Sequence, residues 1–331
     1  MGGNIMNRRA TSMLVSMNPR ISAAAIMAAA LALNFSQPSP ALAWFDQGHM
    51  TIAAAAYDQL KPETKRRVAQ LLALSRYPTN GANNASPDQA AKAAMAMAAT
   101  AVDAIKKDHH DFKDDGEDPT DSAKAPEPGR NTGFDDKFMH KYWHYIDKPF
   151  SRDGSAVRSP PAINAQERIA LFRKTIASDA PDELKAFDLV WLLHLVGDVH
   201  QPLHATSRFT EAKGDSGGND VKLSCSGCPS ELHRFWDDVL GTDDRVSASM
   251  SAARLLPPAD PTEVAIKDEA MWIDESFRVA QASVYAEPSI GNGTGPFELT
   301  TGYKNNAKRV ALARAALAAA RLANMLNNEL K

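Results

Sequence analysis

Cysteine is almost absent from this chain, with Cys225 and Cys228 the only two in 331 residues. A zinc knuckle would need two more thiolates or histidines at matching spacing. A thioredoxin-like redox motif would need a strand–helix–strand setting, and none is visible. In an exported protein the simplest reading of the pair is one small disulfide. Basic residues are also in short supply, 37 Lys and Arg against 40 Asp and Glu. That balance argues against a nucleic-acid binder working through a basic surface patch. Positive charge for handling phosphates must then come from elsewhere, and bound metal is the obvious source. Runs of alternating strand pattern and internal repeats are missing as well.

The N-terminus carries its own signal. Residues 1–20 contain Arg8, Arg9 and Arg20 and no acid, and an apolar run, Ile21–Phe35, follows before Ala41-Leu42-Ala43. The run is too short for a transmembrane helix. A basic region, an apolar stretch and an Ala-x-Ala ending make a signal peptide over residues 1–43. Cleavage would leave one domain, 44–331, beginning at Trp44, in an exported protein that is periplasmic or secreted. It removes three Arg, so the mature charge is 34 − 40 = −6.

Helical patterns dominate the remainder, and the expected class is all-α in a single multi-helix domain. Helices are expected over Gln47–Leu60, Pro62–Leu74, Ser86–Lys107, Ala162–Ser178, Pro181–Gln201, Glu231–Leu240, Pro261–Tyr285 and Thr300–Asn328. Proline at first-turn positions and Ser86 ahead of Pro87 supply start signals, and Pro202 supplies a stop. A short hairpin is expected around Val221–Cys228. Asp108–Lys137, with ten acids and four bases, reads as a solvated loop. A second long loop, Thr206–Pro229, contains Gly217-Gly218-Asn219.

The chemistry concentrates between Trp191 and Asp237. His194 and Asp198 are four apart on an expected helix and share a face. Their neighbours are apolar, so the carboxylate is expected to be buried, which is unfavourable unless it is paired or metal-bound. Pro202 lets His204 fold back toward that face. His233 and Asp237 repeat the spacing. Two such pairs with a histidine between them point to metal. Asp103, His144 and His49 are of the same residue types in three further segments. His200, Asn219 and Asp220 lie close enough in sequence to support the ligands, whereas His109, His110 and His140 read as loop residues.

Together these motifs resemble the zinc-dependent single-strand-specific nucleases of fungi, plants and bacteria, the nuclease S-one/P-one family. The resemblance covers essentially Trp44–Lys331. It rests on Trp-x4-His at 44/49, Asp-x2-Lys at 103/106 and Trp-His-Tyr-Ile-Asp at 143–147. It continues with His-x3-Asp-x5-His at 194/198/204, Gly-Gly-Asn at 217–219 and His-x3-Asp at 233/237. Trp272-x2-Glu275-Ser276 and the Ala-rich C-terminal helix also look like the family. Departures fall at Ala101, where many members have Trp, and at Lys106, where many have Arg.

The resemblance implies three zinc ions. Asp103, His144, His194 and Asp198 would hold one, and His204, His233 and Asp237 a second. The third would take the α-amine and carbonyl of Trp44, His49 and the other oxygen of Asp198. It further implies hydrolysis of single-stranded DNA and RNA, and of 3′-nucleotides, by a hydroxide that the metal makes available near neutral pH. Asp103 and Asp198 would be catalytic, as would Lys106, which would neutralise phosphoryl oxygens. Tyr145 and Asp147 would hold a splayed base. The expected protein is a monomer with nucleic acid as its substrate. One competing reading is a zinc phospholipase C. That family usually closes the last pair with Glu, where this chain has Asp237, and sets its first His further from the N-terminal Trp. The other is an exported protein with structural zinc, but structural sites are usually closed and Cys-rich.

Overall fold

A computed structural model describes residues 44–76, 86–116, 137–211 and 213–331. The expected signal peptide lies outside the described residues, as does most of the acidic stretch. The described part is mostly helical, as its periodicity implies.

Helix α6 (Asp182–Asp198) is the axis of the fold, and every residue from Lys185 to Asp198 is buried. A helix covered on all sides must be surrounded by other elements. Helices α1 (Asp46–Tyr57), α2 (Pro62–Leu74), α4 (Ala101–Ile105), α5 (Ala165–Ile176) and α11 (Thr301–Glu329) all pack against it. The two Ala-rich helices α1 and α11 pack closely, with Ala53, Ala56, Ala311 and Ala315 all in the shared core. Among the described residues no helix is long and apolar enough to cross a membrane.

The expected helix over 86–107 is broken. Helix α3 (Pro87–Ala98) starts on a capping box between Ser86 and Gln89, and α4 begins afresh after Thr100. The break frees the carbonyl of Ala99, which accepts a hydrogen bond from His194 Nδ1 at 2.7 Å. The expected helix over 261–285 is also interrupted, into α9 (Pro261–Val264), α10 (Glu269–Val279) and a π-helical turn, Ala280–Val284. Side chains take the carbonyls at the gap: Arg321 binds Glu263 O, Trp272 binds Ile266 O and Arg173 binds Lys267 O. Helices α7 (Leu232–Asp238) and α8 (Val246–Ala253) complete the set, the latter not anticipated from sequence.

A small sheet pairs β1 (Pro149–Ser151) parallel to β2 (Ser207–Thr210), and β2 antiparallel to β3 (Lys213–Gly214). The hairpin expected around Val221–Cys228 is reduced to a single antiparallel bridge, with Leu223 N donating to Ser230 O and Leu232 N to Val221 O. That bridge joins Lys222 to Glu231, a parallel one joins Leu223 to Phe297, and Cys225 and Cys228 form a disulfide in the loop between Lys222 and Glu231.

Helix α7 is fastened to α11 through one hydroxyl. Buried Trp236 donates its indole N–H to Tyr303 Oη at 3.0 Å, and Tyr303 donates in turn to Val284 O at 2.7 Å. Removing the hydroxyl strands a buried donor. Tyr303→Phe is therefore expected to lower stability by about 1–3 kcal/mol in urea unfolding, and an unchanged midpoint would show the indole finding another acceptor.

Candidate metal centre

Three groups of His and Asp converge in the interior. They are His49, Asp103 and His194; His144, His194 and Asp198; and His204, His233 and Asp237. Within each group the ligand atoms lie within 4.8 Å of one another, and every member is buried. The eight ligand side chains expected from sequence are thus gathered from α1, α4, the turn after Trp143, α6, the Pro202–Ala205 turn and α7.

Backbone carbonyls aim the rings. His194 Nδ1 binds Ala99 O at 2.7 Å, His204 Nδ1 binds His144 O at 2.8 Å and His233 Nδ1 binds Gly217 O at 2.7 Å. Each such bond fixes a neutral tautomer and leaves Nε2 as an acceptor. Gly217 has φ +59°, and a Cβ there would meet Leu203 O at 2.6 Å, which explains why the carbonyl that holds His233 belongs to glycine. Gly197 leaves similar room, since a Cβ would come within 3.0 Å of His49 Nδ1.

The donor set fits a metal. Nε2 of His204 and Nε2 of His233 face each other at 3.1 Å, although both rings have given their Nδ1–H to carbonyls. Two lone pairs at that separation repel unless a cation lies against both. Tetrahedral ligands at the usual zinc distances sit about 3.3 Å apart. In the neighbouring group His144 Nδ1 lies 3.0 Å from His194 Nε2 and 3.1 Å from Asp198 Oδ2. His49 Nε2 is 3.2 Å from Asp198 Oδ1, so this carboxylate faces two groups at once. His144 Nε2, His49 Nδ1 and Asp237 Oδ2 are buried without hydrogen-bond partners.

Burial shifts the imidazoles in the direction that suits metal, and it disfavours the carboxylate charges that a bound cation would compensate. It holds His49, His144, His194, His204 and His233 below the usual imidazole range, the last at about 4. Their lone pairs are therefore free at neutral pH. Burial pushes Asp237 well up, and Asp198 to about 7 despite the His49 bond. Burial would raise Asp103 too, but the Lys106 ammonium 2.5 Å away, with His194 and His49, keeps it below the ordinary carboxylate range. Lys106 is itself buried, not an exposed helix lysine.

Other expected residues fall differently. Trp44 is buried, and its indole donates to Gly197 O at 3.0 Å, while Phe45 N donates to Asp237 O at 3.0 Å. Tyr145 and Asp147 line a cleft of about 360 Å³ together with Arg158, Asn164, Ser207 and Phe209. Burial and the nearby Asp215 push the Asp147 carboxyl up to about 7. Asn219 and Asp220 do not support the ligands, because Asn219 binds Ser216 O and Asp220 pairs with Lys213 within their own loop. His109 and His110 are exposed. His140 is no surface-loop residue. It is buried, stacked on Trp143 at 3.6 Å and bonded to Asp115 at 2.9 Å.

Sequence reading missed Gln201. Its Nε2 donates to Asp237 Oδ1 at 2.8 Å, and its Oε1 accepts from Leu203 N at 2.6 Å. Its place just before Pro202, inside the His194–His204 stretch, was the available signal.

A helical scaffold whose interior His and Asp side chains form three metal-competent groups defines the class of protein. Comparison with known proteins makes it specific. The S1/P1 nuclease family model matches residues 44–331, so the chain belongs to the S1/P1 nuclease family. Nuclease S1 of Aspergillus oryzae (strain ATCC 42149 / RIB 40) is 30% identical over 125 residues, 34% of this chain and 39% of that protein. Endonuclease 3 and Endonuclease 5 of Arabidopsis thaliana are 44% and 42% identical over 52 residues, 16% of each chain. The aligned segments thus span well under half the length of these relatives.

The raised Asp198 carboxyl has a measurable consequence without metal. In the unfolded chain it ionises near its ordinary value of 3.8, and in the folded chain near 7. Between those values the folded state holds the extra proton, so this group's contribution to stability falls as pH rises. Chelator-treated Asp198→Asn is expected to gain stability relative to wild type from about pH 4 to 7, with a constant difference above. Urea unfolding across that range checks it; a difference independent of pH would show that the carboxyl is not raised.

Proposed function

We propose that this chain is an exported zinc-dependent endonuclease and phosphomonoesterase. It would hydrolyse single-stranded DNA and RNA to 5′-phosphorylated products and remove 3′-phosphates from nucleotides. The observation that carries the reading is the convergence of three buried His/Asp groups without a thiolate, with Tyr145 and Ile146, directly after His144, lining a cleft. Nitrogen and oxygen ligands that leave positions open are typical of catalytic zinc rather than structural zinc.

Asp103, His144, His194 and Asp198 would hold one zinc, His204, His233 and Asp237 a second, and Trp44, His49 and Asp198 a third. Zinc, when bound, supplies Lewis acidity and a nucleophilic hydroxide at neutral pH. The protein's own residues do the rest. Lys106, buried against Asp103, presents a charge that can pass to the phosphoryl oxygens. Tyr145 offers a ring to a base, and Asp147 offers a hydrogen-bonding edge beside it. Gln201 keeps one oxygen of Asp237 in place and leaves the other for the ligand group. Three Zn²⁺ would offset the mature chain's charge of −6.

Two experiments test this. Protein beginning at Trp44 is expected to cleave single-stranded DNA and RNA with 5′-phosphate ends, to release phosphate from a 3′-nucleotide, and to lose both activities with chelator. Hydrolysis of phosphatidylcholine without nucleic-acid cleavage would install the phospholipase reading instead. Zinc analysis addresses Trp44, whose indole and following amide tie it beside both Asp198 and Asp237. Protein starting at Trp44 should hold three zinc ions, and protein with one extra leading residue should bind the third more weakly, because the α-amine becomes an amide. Equal zinc content and affinity in the two would remove the α-amine from the site.

A further inference from the structure

Around the turn that follows α6 lies a buried ionic network that the proposed reaction does not use. It joins Arg314 and Arg321 of α11, Glu275 and Ser276 of α10, and His200. Arg321 grips Glu275 with two bonds, Nη1 to Oε2 at 2.7 Å and Nη2 to Oε1 at 2.8 Å, and meets His200 Nε2 at 3.0 Å. Arg314 reaches Glu275 Oε2 at 3.3 Å and Ser276 Oγ at 2.7 Å. Burial pulls the Arg314 guanidinium down to about 10, so it remains charged at neutral pH.

The network converges on one turn. Helix α6 ends at Asp198 with no basic residue in its last turn. A helix C-terminus bears partial negative charge, and a carboxylate placed there is disfavoured unless a cation is brought up. Its last carbonyls also need partners. Here other elements supply both. His200 Nδ1 binds Val196 O at 2.7 Å, Ser276 Oγ donates to Val199 O at 2.5 Å, and Arg314 Nε donates to His200 O at 3.3 Å. Two arginines, with Glu275 between them and Glu263 further out, bring positive charge up to the turn. Arg314 and Arg321 are seven residues apart on α11, which puts both on the face turned to that point.

Three proposed ligands depend on this turn. Asp198 precedes it, His204 follows it through Pro202, and Gln201 within it holds Asp237. We propose that Arg314 and Ser276, backed by Arg321 and Glu275, are positioning residues that set Asp198, His204 and Asp237 for metal by fixing the Val199–His200 backbone. This rests on the metal-site reading above. It also gives a role to the Trp272-x2-Glu275-Ser276 segment and to the C-terminal helix.

The test uses the protein beginning at Trp44, with zinc alone as the probe. Zinc affinity is measured by competition with a chromophoric chelator, the visible spectrum is recorded on the cobalt-loaded protein, and unfolding is followed without metal. Arg314→Gln is expected to weaken zinc binding tenfold to a hundredfold and to shift the cobalt absorption. Ser276→Ala should move both in the same direction by less, and Arg314→Lys should recover part of the loss. Leu322→Ala, a core change on the same helix, should lower stability with zinc affinity and cobalt spectrum unchanged. Wild-type zinc affinity in Arg314→Gln and Ser276→Ala overturns the proposal, as does a loss no greater than that of Leu322→Ala. If Arg314→Gln does not fold, Ser276→Ala and Arg314→Lys decide by the same criteria. A failure of the wild type itself to bind zinc would sink the metal-site reading, and this proposal with it, before any variant is compared.

Discussion

A carboxylate buried at the end of a central helix dictates much of what surrounds it. Asp198 sits in the interior at the C-terminus of α6, where both burial and the helix dipole disfavour its charge. The fold meets that demand from two sides. On one, three imidazoles and a second carboxylate gather around it. On the other, two arginines supply positive charge and the hydroxyl of Ser276 caps a carbonyl. Neither side is self-sufficient. Imidazole nitrogens facing one another at about 3 Å suit a shared cation, and the arginines stay buried because Glu275 and backbone carbonyls absorb their donors.

The irregularities of the chain serve the same end. The break between α3 and α4 exposes the Ala99 carbonyl for His194 and restarts a helix that delivers Asp103 and Lys106. The gap between α9 and α10 exposes the Glu263 carbonyl for Arg321. Glycine at 217 lets a carbonyl approach His233. In each case a helix or loop forgoes regular hydrogen bonding, and a functional side chain takes the freed group. This is why these sites were not legible as periodicity. The pattern of apolar residues records which face is buried, not which carbonyl another element will claim.

Helix locations were legible because apolar spacing and proline starts are local. The His-x3-Asp pairs could be read because four residues make one helical turn, so each pair shares a face wherever the helix packs. Helix α8 was missed because a short run of small residues carries little periodic signal, and the β1–β2 pairing because it joins segments nearly sixty residues apart (149 with 207). His140 was misread because its carboxylate partner, Asp115, lies twenty-five residues earlier, inside the acidic stretch read as solvated.

The sequence by itself determined the helical class, the two His-x3-Asp pairs, the residue types around them and the disulfide partners, all of which depend on near neighbours. Tertiary structure decided the rest. It made His194 common to two of the His/Asp groups, set His49 against Asp198, placed Trp44 between Gly197 and Asp237, buried Lys106 against Asp103, and brought Arg314 and Arg321 beneath the turn at His200. The physical reason is that charge compensation acts over a few ångströms of space. It is blind to the more than one hundred residues of chain that separate His200 from its arginines.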